Sequence, residues 1–332
     1  FFFCGMESNK TIDEDEAKLY DRQIRLWGVE AQNRMKNSKV LLVGLRGLNT
    51  EVCKNIVLSG IDTAHILDPL PVDIADLSAN FFLTPEDVGS NRAEACAERI
   101  RELNPRVNVV VDTESIDKKS DDFFTQFNVV CLSDCSIEIM IKIDEICRKE
   151  NIALFGGYLC GYHGIVYMDH NGHQYKATIK DDEGDNITVI KTVEMPSWKV
   201  SFTELSWDQF GFNRVSKLLF AHQLLLLSNS TSKDEFITFS KDMLEKRKVS
   251  NDFVPIDIVE QIWNYQKKDL SPVAAVVGGL VAQEMIKVLS GKDEPYGNCF
   301  VFDGIQSRGV IESLEITKPP AKRKFIGEAI EL

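Results

Sequence analysis

Eight cysteines are scattered through 332 residues without one C-x-x-C pair, which argues against metal knuckles. Cys4, Cys53, Cys96, Cys131, Cys135, Cys147, Cys160 and Cys299 sit mostly in apolar runs of strand or helix character. They read as buried, reduced thiols of a cytosolic or nuclear protein. Long apolar runs are equally scarce. The longest, around residues 218–227, is broken by His222 and Gln223 and is too short to span a bilayer. Positive charge is in deficit: 38 Lys and Arg against 51 Asp and Glu leave a net charge of −13. That balance argues against nucleic acid or an anionic membrane as the main partner and favours a basic or neutral protein. The opening Phe1-Phe2-Phe3-Cys4-Gly5 lacks a basic n-region and a proper h-region, so it is not read as a signal peptide. Met6 reads as a natural start. No internal repeat and no low-complexity stretch is present.

What the sequence does contain is an alternation of strands and helices. Residues 15–35, with apolar positions at Leu19, Ile24, Leu26 and Trp27, predict one amphipathic helix. Strands are predicted over 40–43, 63–67, 107–111, 128–132 and 152–155, and helices over 47–59, 91–103 and 136–150. The strands are continuously apolar, as in a parallel sheet covered on both faces. The expected fold class is α/β: a doubly wound, Rossmann-like, mostly parallel sheet whose ligands sit beyond the strands' carboxyl ends. From residue 162 the pattern changes. Residues 162–168 and 174–179 read as antiparallel strands, 180–186 as an acidic turn, and 213–228, 233–248 and 256–267 as three helices. A helix over 272–290 is dense in small residues (Ala274, Ala275, Gly278, Gly279, Ala282), which permits close approach of another backbone, inside the fold or across an interface. Strands over 299–303 and 309–314 close the chain. The expected organisation is a tail (1–14), a first α/β part (15–174), a helical insertion (175–269), a second α/β part (270–316) and a tail (317–332).

A strand, a glycine turn and a helix form an anion site, because N–H groups at the helix start point at the phosphates. Here the turn reads Gly44-Leu45-Arg46-Gly47-Leu48-Asn49-Thr50-Glu51. The G-x-G-x-x-G fingerprint requires glycine where Arg46 and Asn49 stand. Any side chain at the second glycine obstructs a pyrophosphate, and arginine is a large one. The loop is degenerate, although in the opposite reading Arg46 neutralises a phosphate. Asp68, near the place of a ribose-binding acid, is equally a turn former before Pro69. His65 and His163 lack partners at metal spacing and read as structural; no metal is expected. His170 and His173 flank Asn171-Gly172, a hairpin signal.

The segment Ala17-Lys18-Leu19-Tyr20-Asp21-Arg22-Gln23-Ile24-Arg25-Leu26-Trp27-Gly28 resembles the opening helix of the enzymes that activate ubiquitin and its relatives. That family, of ThiF/MoeB type, includes the bacterial sulfur-carrier activators. The resemblance continues through 40–51, Asn91-Arg92-Ala93-Glu94-Ala95, Asn104-Pro105 and 272–287, and covers nearly the whole chain apart from the insertion. Phe123-Phe124-Thr125-Gln126-Phe127 and Gly161-Tyr162-His163-Gly164 narrow it to one inactive half. It implies a heterodimer of two homologous adenylation halves, with ATP and Mg2+ bound by the partner subunit. The substrate implied is the C-terminal glycine carboxylate of a ubiquitin-like modifier, captured afterwards as a thioester by a cysteine of the active chain.

Departures from the active pattern imply which half this is. Arg46 and Asn49 replace loop glycines. Ser78-Ala79-Asn80-Phe81-Phe82 stands where active members carry N-L-N-R-Q, so the phosphate-binding arginine is missing. Asp134 survives alone from a D-N-x-x-A-R motif, a remnant of a magnesium site. No cysteine lies between Cys160 and Cys299 to form a thioester. The chain alone is expected to be inactive and to bind no cofactor. The resemblance further implies that Arg22 reaches across the dimer to the partner's ATP γ-phosphate as a catalytic group in trans. On helix periodicity alone, Arg22 would instead pair with Asp15 or Glu16 on a solvated face. A nuclear location, with some cytoplasmic protein, is also implied. Lys322-Arg323-Lys324 after Pro319-Pro320 reads either as an import signal or as a solvated end. Two rival readings are a purely scaffolding partner and a self-sufficient NAD-binding oxidoreductase, against which Arg46 speaks.

Overall fold

The computed structural model describes residues 10–170, 172–180, 184–204, 207 and 217–312, with the backbone of 325–326. The chain opens with three short helices, α1 (Glu14–Leu19), α2 (Asp21–Trp27) and α3 (Val29–Met35), where periodicity predicts one. Two residues cause the difference. Gly28 holds φ +91°, a conformation that side chains other than glycine rarely adopt. Tyr20, at φ −97° and ψ 17°, turns the chain while its ring is buried. Each side of such a corner keeps a helical pattern, so periodicity does not reveal it.

The alternation follows as β1 (Lys39–Val43), α4 (Gly47–Leu58), β2 (Thr63–Leu67), α5 (Arg92–Leu103), β3 (Asn108–Asp112), α6 (Asp121–Phe124), β4 (Val129–Ser133), α7 (Ile137–Glu150) and β5 (Ala153–Cys160). These strands are parallel in the order β3-β2-β1-β4-β5. The winding reverses between β1 and β4, the place where doubly wound sheets open a crevice. Next come β6 (His163–Asp169), then β7 (Gln174–Lys180) and β8 (Asn186–Thr192), which pair as a separate two-stranded ribbon. Helices α8 (Lys217–Leu227), α9 (Lys233–Lys246), α10 (Ile256–Tyr265) and α11 (Ser271–Ser290) lead to β9 (Asn298–Asp303), β10 (Arg308–Glu312) and β11 (Phe325–Ile326). Strands β6, β9, β10 and β11 extend the sheet beyond β5, each antiparallel to the one before it, giving a sheet of nine strands among the described residues. Residues of the basic stretch at 322–324 lie outside the described part.

Strand β1 shows why the central strands are apolar on every residue. Val40 and Leu42 enter the core under α3, α4, α5 and α11, whereas Leu41 and Val43 enter the core under α7 and α8–α10. Strand β8 was invisible to the same logic, because the ribbon is mostly exposed and buries no regular face. His170 and His173 do flank a turn, the His173 N–H donating to His170 O at 2.9 Å, but β6 and β7 lie in different sheets, so there is no hairpin. His170 is buried, its Nε2 donating to Tyr296 O at 3.1 Å, and burial pushes its pKa down to about 3. Helix α11 is long and apolar enough to cross a membrane by length and composition, yet 56% of that window is buried inside the fold. Its small-residue face is split. A Cβ on Gly278 would stand 2.5 Å from Glu51 Cβ on α4, while one on Gly279 would meet nothing within 4 Å.

Asp144 on α7 is fully buried, accepts the Trp198 N–H at 2.8 Å and lies beside Asp169. Burial first, and then the charge of Asp169, push its pKa from 3.8 up to about 8. The native chain therefore holds a proton that the unfolded chain releases. The stability this contributes is complete below about pH 4 and is lost as pH rises towards about 8. Asp144→Asn keeps the shape and removes the titration. The thermal midpoint of that variant is expected to fall less than the wild type's between about pH 6 and about pH 9. Parallel melting curves across that range would contradict the assignment.

Candidate functional site

At the carboxyl end of β1 the chain enters the degenerate turn. Gly44 has φ +75°, and a Cβ there would lie 2.6 Å from Ser133 O on β4, so only glycine fits. The Leu45 N–H donates to Asp68 at 2.8 Å. Arg46 precedes α4 in extended conformation, and its guanidinium folds back over the turn. It stands 3.6 Å from Asp76, 3.5 Å from Asp134 and 3.3 Å from Asp269, and its Nη2 donates to Lys267 O at 3.0 Å. The first amide of α4, at Gly47, donates to Asp269 Oδ2 at 3.1 Å. Asn49, fully buried, donates through Nδ2 to Val43 O and Gly44 O, at 2.9 Å each. Arg92, buried on α5, pairs with Asp68 at 2.7 Å and Asp76 at 2.8 Å.

Four carboxylates therefore surround two guanidinium groups. Burial, and next the charge of Asp134, push the pKa of Asp269 up to about 6. The anion site is satisfied from within. The amide that would face a phosphate is taken by Asp269, the guanidinium lies over the turn, and the surplus of carboxylates repels a polyphosphate. These residues do not fit a nucleotide.

The other candidates fall into place around this cluster. Asp134, at φ +55°, pairs with Arg46 and accepts from Ser133 Oγ at 2.8 Å, so its oxygens serve the cluster. Asp68 is both a turn former, accepting Leu70 N–H at 3.0 Å, and an anchor for Leu45 and Arg92. Asp76 and Asp269 escaped sequence reasoning. Asp269 stands just before α11, far from the loop in sequence, and no spacing pattern ties it to Arg46. Among the described residues no three His, Cys, Asp or Glu side chains converge on a metal position.

Arg22 lies apart from the loop, on α2. It is exposed and makes no hydrogen bond or ion pair among the described residues. Its expected local partners are engaged elsewhere: Asp15 lies 3.5 Å from Lys18, and Glu16 pairs with Lys36 and, at 3.6 Å, with Arg106. The solvated-face pairing expected from periodicity is therefore not the one that forms. Arg25, by contrast, pairs with Asp21 at 3.0 Å. Helix α2 meets α4 where Gln23 Nε2 donates to Leu58 O at 3.4 Å. Phe81, under the ammonium of Lys54 on α4, is 49% exposed, and Leu26 and Val276 are also exposed. Helix α11 packs on α4 through Gly278, where a Cβ would stand 2.5 Å from Glu51 Cβ.

The ThiF family model matches residues 20–324. The chain is similar to SUMO-activating enzyme subunit 1 of Xenopus tropicalis, 38% identical over 341 residues that cover 91% of this chain and 97% of that protein. The same-named protein of Homo sapiens is 38% identical over 342 residues, covering 93% and 98%. That of Danio rerio is 36% identical over 338 residues, covering 91% and 95%. With the family match spanning the turn, α2 and most of the sheet, the chain belongs to the ThiF family.

Proposed function

We propose that this chain is the regulatory, non-thioester-forming subunit of a two-chain enzyme that activates SUMO in the nucleus. Its partner, a chain like SUMO-activating enzyme subunit 2, holds ATP and Mg2+, and this chain binds no nucleotide. The observation that carries the reading is the closed turn: Arg46 amid Asp76, Asp134 and Asp269, with Asp269 on the Gly47 N–H. The names of its relatives support the choice of modifier. The cysteines support the absence of thioester chemistry, since burial raises the thiols of Cys53, Cys131, Cys147 and Cys160 and leaves none of these four a ready thiolate.

In adenylation the modifier's C-terminal carboxylate attacks the α-phosphorus of ATP, and the bond to pyrophosphate breaks. Negative charge builds on the departing phosphates, where a placed cation lowers the barrier. Arg22, exposed and unpaired among the described residues, is the group this chain supplies across the dimer. The scaffolding alternative keeps one specific support, the open face of α11 at Val276 and Gly279. Nucleotide stoichiometry tests the reading. Equilibrium titration is expected to show no ATP bound by this chain alone and one ATP per two-chain complex. Two ATP per complex would sink it.

A further inference from the structure

Two segments that carry the family resemblance, Tyr20 to Gly28 and Asn104-Pro105, stand 84 residues apart at their hydrogen-bonding members and meet in the fold. Tyr20 ends α1 and starts α2, so its backbone is the corner from which Arg22 departs two residues later. The residue as a whole is 5% exposed. Asn104 Nδ2 donates to the Tyr20 hydroxyl at 2.9 Å and to Val57 O, near the end of α4, at 2.9 Å. Asn104 Oδ1 accepts the Arg106 N–H at 3.2 Å, which fixes the orientation of the amide. The ring rests on Gly60, where a Cβ would come 2.5 Å from Tyr20 Cζ and 2.6 Å from the hydroxyl. Gly60 is at φ +83°, so the dent needs glycine for both space and backbone.

We propose that Tyr20, Asn104 and Gly60 form a clamp that positions Arg22 for its action on the partner's ATP. The inference rests on the trans role of Arg22 given above. An exposed arginine on a seven-residue helix, with no partner among the described residues to aim it, takes its direction from the backbone that carries it. That backbone is pinned at its start by a buried phenol, with Gln23 on Leu58 O one residue beyond Arg22. Tyr20 and Asn104 touch no substrate; they are positioning residues. Their motif positions acquire a reason here that neither the turn nor the sheet supplies.

The test is a double-mutant cycle in the two-chain enzyme, read by ATP–pyrophosphate exchange with SUMO. Tyr20→Phe leaves the ring on Gly60 and removes one hydrogen-bond partner. Since displacing a catalytic group by about 1 Å costs on the order of 10²-fold, loss of the hydroxyl is expected to lower kcat about ten-fold with KM for ATP unchanged. Asn104→Ala is expected to match or exceed it. In an Arg22→Ala background, Tyr20→Phe is expected to have no further effect, because the clamp acts only through Arg22. An equal ten-fold loss in both backgrounds overturns the proposal and leaves a structural role for Tyr20. Wild-type kcat for Tyr20→Phe also overturns it. If Arg22→Ala itself is without effect, the trans role fails first and the clamp has nothing to position.

Discussion

Replacing Arg22 with alanine is expected to slow adenylate formation about 10³-fold in the assembled enzyme, the lower end of the range for arginines supplied in trans. That factor corresponds to about 4 kcal/mol of transition-state stabilisation. The size follows from where the charge appears. An interaction made with phosphates only as the bond breaks lowers kcat and kcat/KM together when removed, and leaves KM for ATP nearly unchanged. Among the described residues no partner competes for this side chain. Arg22 is exposed, and Asp15 and Glu16 are engaged with Lys18, Lys36 and Arg106. The variant should therefore melt within about 0.5 kcal/mol of wild type, as unpaired surface substitutions do. Arg22→Lys keeps the charge and loses the planar fork, so an intermediate rate is expected from single-turnover quench experiments.

Arg46→Ala is expected to have the largest effect on stability, about 3–5 kcal/mol, the cost of leaving buried charge without its counter-ion. The side chain of Asp269 is only 4% exposed and loses its cation, whereas Asp76, 3% exposed, keeps Arg92. Asp269, already raised to about 6 by burial and by Asp134, would rise further without Arg46. A carboxylate with a raised native pKa holds a proton that the unfolded chain releases, so its penalty grows with pH. Denaturant unfolding should accordingly show a smaller gap between variant and wild type at about pH 5 than at about pH 8. Arg46→Ala should not restore ATP binding, since Asp269 still takes the Gly47 N–H. A stable variant, or one that binds ATP, would contradict the closed-turn assignment.

The parallel core of the fold was legible because its strands are buried on both faces. Residues 63–67 were bounded correctly, and Asn91 and Ser136 cap α5 and α7 as their side chains suggest. Elements without a regular buried face are legible only in part: 174–179 reads as a strand and is β7, while its partner is not foreseen. The β7–β8 ribbon offers no alternation, so β8 went unseen, and Tyr20 and Gly28 broke a helix whose periodicity ran straight through them. The site divides the same way. Arg46 and Asn49 announce a damaged turn by residue type alone. What the damage does instead, an internal ion cluster closed by Asp269 from just before α11, depends on contacts between distant segments. Arg22 came from a motif match, and its lack of a partner among the described residues emerges only when Asp15 and Glu16 are seen paired elsewhere.

The most direct measurement is SUMO-dependent ATP–pyrophosphate exchange by the two-chain enzyme carrying Arg22→Ala, with assembly checked by gel filtration of the same sample. Exchange lowered about 10³-fold in an intact dimer is the predicted result. Wild-type exchange in an intact dimer would contradict it, and would leave this chain as a scaffold whose closed turn lost ATP and gave nothing back.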